Sequence, residues 1–323
     1  MRMFGSLAAL AGGMLLAGAA LAQTPTLTVA AQTSGTVNWE LDTIQHYGLD
    51  KANGFDLEVM DVAGSPAGQV AFQGGEADAI VSDWIWVARQ RAAGDDFVFI
   101  PYSKAVGGLM VPSDSTAQTL EDLKGGKIGV AGGPLDKSWL LLRAYSRQEH
   151  GFDLAAETEA VFGAPPLVHQ AATAGEFAGA INFWHFLAKM EAAGMRELIG
   201  VDEAAAALGL DPETPLLGYV VRGEMLRANP ELAAGLAAAS RAAKERLAGD
   251  PAAWERLRPM MNAADDAEFE ALKAGFLAGV PSGEPVDEAA AGEMLALMSS
   301  IGGEELVGAA TSLPEGVFVR PGS

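Results

Sequence analysis

The sequence predicts an α/β protein of two lobes. Each lobe is expected to be a mostly parallel sheet flanked by helices, with two crossing strands between them and a helical C-terminus. Three observations predict it. Between residues 27 and 100, strand-like apolar runs alternate with helical periodicity, and the same alternation begins again near residue 127. Two glycine-bearing apolar runs, 105–111 and 217–221, leave the first unit and return to it. From residue 229 onward only helical periodicity remains.

Residues 27–31 (Leu-Thr-Val-Ala-Ala) read as a buried strand, and 36–47 as a helix stopped at Gly48. Residues 55–62 alternate apolar and acidic after Asn53-Gly54, which marks a strand opened by a turn. A helix over 66–73 ends at Gly74-Gly75, a short strand covers 77–81, a helix 84–93 and a strand 97–100. The second unit starts with a helical turn at 120–125 and a strand at 127–131. Helices at 137–150 and 166–174, a strand at 178–182, a helix at 184–193 and a strand at 197–201 follow. Residues 216–222 read as a strand returning to the first unit. Helices are expected over 229–247, 252–261, 265–277 and 288–301. With no fixed repeat and no low-complexity linker, the units read as lobes of one body. Residues 23–106 and 216–323 form the first lobe, and 107–215 the second. Gly107, Gly108 and Gly218, in the two crossings, are the expected hinge points.

Residues 1–22 are of a different kind. Arg2 precedes an apolar run over 3–16, and Ala20-Leu21-Ala22 is an A-x-A cleavage signal. A secretory signal peptide is expected, with the mature chain starting at Gln23 and no Cys after the cut for a lipid anchor. No later apolar run reaches the roughly 18–20 residues of a membrane span. A soluble, exported chain is therefore expected.

The 42 acidic residues outnumber the 21 Lys and Arg, for a formal net charge of -21. Such a surface repels nucleic acid, and no basic run breaks the pattern. The absence of cysteine removes disulfides, thiolate catalysis and cysteine-based metal sites. None of the four histidines has zinc-helix spacing, and no G-x-S-x-G elbow occurs. Residues 129–138 end in Lys137-Ser138 between a strand and a helix, but Asp136 stands where a phosphate loop needs glycine. Chance carboxylate pairs among 42 acids leave a carbohydrate hydrolase unsupported. The expectation is a protein that is not an enzyme, with no cofactor and no metal.

Four loops at the carboxyl ends of strands remain, where open α/β sheets bind ligands. In the first, Ser34, Gly35 and Thr36 open the helix that carries Trp39, and could equally serve as a plain N-cap. The second holds Ser82, Asp83, Trp84 and Trp86. The two indoles lie about 200° apart on a helix, so one should face a cleft or solvent. The third holds Pro134, Asp136, Lys137 and Ser138, with Pro134 suited to a first helical turn. The fourth holds Asn182, Trp184 and His185 beside Phe183 and Phe186, which also suits an amphipathic core edge. Two loops from each lobe together favour a ligand cleft.

The order of segments resembles a known family. The helix at 36–47 followed by Lys51-Ala52-Asn53-Gly54-Phe55-Asp56-Leu57-Glu58-Val59 resembles the opening of the NitT/TauT-type substrate-binding proteins of ABC importers. Gly75-Glu76-Ala77-Asp78 resembles that family's G-E-A-D before its third strand. Leu120-Glu121-Asp122-Leu123-Lys124-Gly125-Gly126-Lys127-Ile128-Gly129-Val130 resembles its passage into the second lobe, and Gly175-Glu176-Phe177-Ala178-Gly179-Ala180 its second G-E motif. Gly126 replaces a Lys and Gly179 an Asp. The likeness covers about residues 27–229.

The resemblance implies a type II periplasmic-binding fold that closes on one small solute. It further implies a periplasmic location, partnership with an ABC importer permease and its ATPase, and a monomer. The family's ligands include nitrate, taurine, alkyl sulfonates and thiamine pyrimidine precursors. The residues carried over are those of the four loops, which here bring Trp39, Trp84, Trp86, Trp139 and Trp184 with Asp83 and Asp136, and no Arg. An oxyanion is usually met by cationic or many N–H donors. An aromatic and acidic site favours a planar or amine-bearing organic solute, pyrimidine-like, stacked on Trp and hydrogen-bonded by Asp and Asn. The competing readings are an oxyanion receptor using Lys137 and helix N-termini, a pyrimidine-precursor synthase on the same fold, and a cation receptor using Asp83 and Asp136.

Overall fold

The computed structural model describes residues 24–319. The expected signal peptide and the Gln23 start lie outside the described residues. The first elements are β1 (Thr26–Gln32), α1 (Val37–His46), α2 (Leu49–Ala52), β2 (Asp56–Val62), α3 (Ser65–Gly74), β3 (Ala79–Asp83), α4 (Trp84–Ala92) and β4 (Phe97–Ser103). Then come β5 (Gly108–Val111), a 3-10 turn (Leu120–Leu123), β6 (Lys127–Ala131), α5 (Lys137–His150), α6 (Leu154–Glu157) and β7 (Glu159–Gly163). They are followed by α7 (Pro165–Thr173), β8 (Gly179–Asn182), α8 (Trp184–Ala192), β9 (Arg196–Gly200) and α9 (Val201–Ala207). The chain ends with β10 (Leu217–Arg222), α10 (Gly223–Ala228), α11 (Pro230–Gly249), α12 (Pro251–Met261), α13 (Asp266–Ala278) and α14 (Glu288–Val307).

The strands form two five-stranded sheets of the same design, in the orders β2-β1-β3-β10-β4 and β7-β6-β8-β5-β9. In each, three strands pair in parallel and a fourth is inserted antiparallel, β10 in one and β5 in the other. The inserted strands are those that adjoin the crossings. The run expected as a strand over 105–111 is extended only from Gly108. It belongs to the second sheet, where Leu109 faces Ile181 and Ile199.

Aspartate N-caps recur and use part of the acidic surplus. The carboxylates of Asp83, Asp136, Asp153, Asp250, Asp265 and Asp287 each accept a backbone N–H in the first turn of α4, α5, α6, α12, α13 and α14. The elements the sequence reading missed are short or lack apolar alternation. β7 is an edge strand whose Val161 and Phe162 are 37% and 38% exposed, and α2, α6, α9 and α10 have seven residues or fewer.

The glycines of the crossings have a packing role. None has a positive φ. A Cβ on Gly107 would collide with the Asn182 carbonyl oxygen, and one on Gly108 with the Glu197 carboxylate. A Cβ on Gly218 would run into the Phe99 ring and lie 2.5 Å from the Ile100 oxygen. These residues permit close strand approach.

One apolar cluster joins the N-terminal sheet to α1, α11, α12 and α13, through Trp39, Tyr219, Trp254 and Phe276. A second runs from α3 and α4 through α14 to the second sheet and α5, so that Met294 and Met298 are common to both halves. Past α14 the chain returns to the N-terminal sheet. The Phe99 N–H donates to the Val317 oxygen at 2.7 Å, and the Val319 N–H to the Phe99 oxygen at 3.0 Å, in a parallel bridge that covers the free edge of β4. Phe318 there meets Trp84 and Phe99, each at 5.7 Å between ring centres. Among the described residues no helix is long and apolar enough to cross a membrane.

Candidate functional site

The helices that follow β1 and β3 meet those that follow β6 and β8; α4 and α8 start within two residues of their strands, α1 and α5 after short loops. Here Asp83 and Lys137 join the two sheets by an ion pair of 2.8 Å, with side chains 14% and 25% exposed. Both residues are held by their helix starts. Asp83 ends β3 and also accepts the Trp86 N–H at 2.9 Å. Asp136, preceding Lys137, accepts the Trp139 N–H at 3.1 Å. Burial pushes the Asp136 carboxyl up to about 6, against the Trp139 N–H and the Lys137 charge, while nearby Asp83 adds to the rise. Burial works against the charge on Lys137. The Asp83 carboxylate, with help from Asp136, outweighs it and holds the ammonium above its ordinary pKa. Two carboxylates thus face the Lys137 ammonium, and the Arg89 charge on α4 acts against it.

A second contact between the halves is aromatic. Trp184, at the start of α8, sits edge-on to Trp39 of α1 at 6.0 Å and 88°. A third follows on the same helix: Lys189 pairs with the buried Glu268 of α13 and donates to the Asn262 oxygen at 2.9 Å. A cavity between the crossings, lined by Lys104, Val106, Thr214 and Leu216, encloses about 20 Å³, enough for one water. A gap lined by Tyr102, Ser103, Lys244 and Phe276 holds none.

The remaining expected site residues divide sharply. Ser34 is exposed, and Gly35 and Thr36 are half-buried. Thr36 makes no side-chain cap; its side chain reaches the Tyr102 hydroxyl. Trp39 is 5% exposed and packed on Trp254 and Phe276, so it is a core ring rather than an open platform. Ser82 is buried inside β3. Trp84 is fully buried against Phe318, its Nε1 without a partner, because the C-terminal segment folds over it. Trp84 and Trp184 therefore belong to different clusters. Trp86 stacks on Phe97 at 5.7 Å. Pro134 is exposed and Ser138 buried. Trp139 is buried and meets Phe162.

Asn182 is 1% exposed and spent on its own loop, donating to the Pro165 oxygen at 3.0 Å and accepting the Phe183 N–H at 2.8 Å. It orders the loop instead of offering a hydrogen bond. His185 keeps a buried Nδ1 without a partner. Burial, then the Lys189 charge, lower its pKa to about 4, so it is neutral at pH 7.

Sequence reasoning missed a buried polar network beneath this junction. Glu40 of α1, fully buried, pairs with Lys244 of α11 at 2.6 Å and accepts the Tyr219 hydroxyl at 2.7 Å. Lys244 also donates to Ser240 at 2.6 Å and lies over the Tyr102 ring. A signal was present. Glu40 falls on the apolar stripe Val37, Leu41, Ile44 at helical spacing, where a lone carboxylate requires a partner. Among the described residues no group of three or more His, Asp or Glu could hold a metal ion.

The family profile described as "NMT1/THI5 like" matches residues 45–253. No curated protein matches the chain. Three solved structures show the shared fold. The alkanesulfonate-binding protein SsuA of Xanthomonas axonopodis pv. citri, bound to MOPS, has a TM-score of 0.70 at 18% identity, covering 93% of this chain and 100% of that one. The periplasmic aliphatic sulphonate binding protein SsuA of Escherichia coli has a TM-score of 0.68 at 19% identity, covering 88% and 94%. A protein of Bordetella bronchiseptica has a TM-score of 0.69 at 20% identity, covering 91% and 94%. The architecture is the type II periplasmic-binding fold that the sequence predicts.

Proposed function

Because the chain belongs to the NMT1/THI5-like family, we propose that it is a solute receptor of the NitT/TauT type. In this reading it captures one small organic solute between its lobes and delivers it to the permease and ATPase of an ABC importer. The lobes are residues 23–106 with 216–323, and 107–215. The chain is exported to the periplasm, cut before Gln23, and works as a monomer without enzymatic activity. The observation that carries the reading is the Asp83–Lys137 ion pair, which joins the two sheets at the strand ends where open α/β sheets bind ligands.

The chemistry of that junction favours an amine-bearing, planar solute. Asp83 and Asp136 supply carboxylate acceptors beside the Lys137 and Arg89 charges, and the Trp39–Trp184 contact supplies aromatic faces between the same two halves. An oxyanion is the second reading. It is favoured by Lys137 and by the sulfonates named for two proteins of the same fold.

Mass spectrometry of solute released from purified, unwashed protein tests the proposal. A stoichiometric amine or heterocycle is expected. A stoichiometric sulfonate would move the assignment to the second reading, and protein that carries no solute and binds none from a solute panel would defeat both. Asp83→Asn keeps a helix cap and removes the charge. It should weaken an amine-bearing solute roughly tenfold or more and leave a sulfonate unharmed.

A further inference from the structure

We propose that Trp184 is a built-in occupant of a slot on the opposite half of the molecule, and that a flat, uncharged ring of the solute takes the same slot in its place. The slot is read from geometry alone; the solute's part in it rests on the receptor reading above.

Trp184 follows β8 of the second sheet, yet its ring packs against the apolar cluster of the N-terminal sheet. One wall is Trp39, met edge-on at 6.0 Å. The floor is Gly275 of α13. A Cβ there would lie 2.7 Å from Cε3 and 2.8 Å from Cζ3 of the indole, so only glycine leaves space for the ring. The wall is fixed: Trp39 is backed by Trp254 at 6.3 Å and Phe276 at 5.9 Å, and all three are buried. Trp184 itself is only half-buried, unlike Trp39, Trp84, Trp139 and Trp254.

Slot and occupant thus belong to different sheets. Parting α8 from α13 breaks the Lys189–Glu268 pair and withdraws the indole. It leaves a rigid apolar recess, floored by glycine, facing water. Such a recess binds a flat apolar group of similar size. β3, which ends in Asp83, neighbours β1, which leads into the helix of Trp39. The polar end of a solute seated there has Asp83 at the end of the neighbouring strand of the same sheet. Gly275 is then a specificity-determining residue, because a side chain at that position shuts out ring and indole alike.

The experiment uses indole as the probe and the mature chain with Trp184→Ala. Calorimetry and the thermal midpoint are read with and without saturating indole. The variant should bind indole at least roughly tenfold more tightly than the unsubstituted protein, and its midpoint should rise with the probe. Adding Gly275→Leu should abolish both effects. A folded Trp184→Ala protein indifferent to indole, or indole binding unchanged by Gly275→Leu, would overturn the proposal.

Gly275→Ala with Trp184 retained guards against a variant that does not fold. It should expel the indole, giving red-shifted tryptophan emission and a larger radius in small-angle scattering. Unchanged emission and radius would refute the slot. Failure of indole binding while a solute still co-purifies defeats the slot alone. Indole binding in a protein that carries and binds no solute defeats the receptor reading alone.

Discussion

Replacing Lys244 by Met should be among the most destabilising changes the protein can suffer. The Lys244 ammonium stands 2.6 Å from a Glu40 oxygen, with side chains 8% and 0% exposed. At an effective dielectric near 20, that attraction is about 6 kcal/mol, much of it cancelled by stripping water from both groups. Burial accordingly pulls the Lys244 pKa down, while Glu40 opposes the shift. Lys244→Met leaves Glu40 buried with one oxygen still accepting from Tyr219 and its charge uncompensated. The cost should be about 3–5 kcal/mol, a fall in midpoint on the order of 10 °C.

The double variant Glu40→Gln/Lys244→Met keeps an acceptor for Tyr219 and removes both charges. It should lie about 2 kcal/mol or more above the sum of the single changes. Urea unfolding of the four proteins at pH 7 measures the cycle. Additive effects would refute the reasoning, since they would mean that the two groups do not compensate each other's burial.

Asp136 should make stability depend on pH. Its folded pKa of about 6 lies above its ordinary value of 3.8, so its contribution is complete below about pH 4 and is lost as pH rises through 6. Asp136→Asn should therefore gain most relative to the parent above pH 7, by up to about 3 kcal/mol; parallel stability profiles would rule this out. Asp153 has the opposite sign. The Arg143 fork, with Arg147 and the Ala155 N–H, holds its carboxyl well below the usual range against some burial. Its contribution is present above about pH 4 and is lost on acidification. Asp153→Ala should cost roughly 2 kcal/mol at pH 7 and clearly less at pH 3; an equal cost at both would contradict the assignment. Gly107→Ala should destabilise the protein by about 1–3 kcal/mol through overpacking against Asn182. An unchanged midpoint would show that the crossing has slack.

Most of the fold was legible because burial writes its period into sequence. Residues 127–131 and 137–150 were placed with the bounds of β6 and α5, since a continuous apolar run and an amphipathic stripe closed by Gly151 have few other solutions. β7 was illegible because an edge strand with exposed Val161 and Phe162 lacks alternation. At the site, the Asp83–Lys137 pair was accessible as two loops of the right kind at equivalent strand ends. The fate of each tryptophan was not. Trp84 is buried because residues 317–319 return across more than two hundred positions to cover it, and local sequence carries no sign of that return. Glu40 and Lys244 likewise meet only once α1 and α11 are packed, although the misplaced charge on an apolar stripe was visible.

The pairing of β4 has a consequence for the order in which the protein can form. All strands of the second sheet lie between residues 108 and 200, so a chain emerging N-terminus first has that sheet's full complement early. β3 and β4 are different. Both pair with β10, and the far side of β4 pairs with residues 317–319, so the N-terminal sheet cannot finish before residue 319 appears. β4 offers two bare strand edges until β10 appears and one until residues 317–319 follow, the aggregation hazard of slow, non-local β topologies. Loss of residues 317–319 would leave one of those edges permanently open.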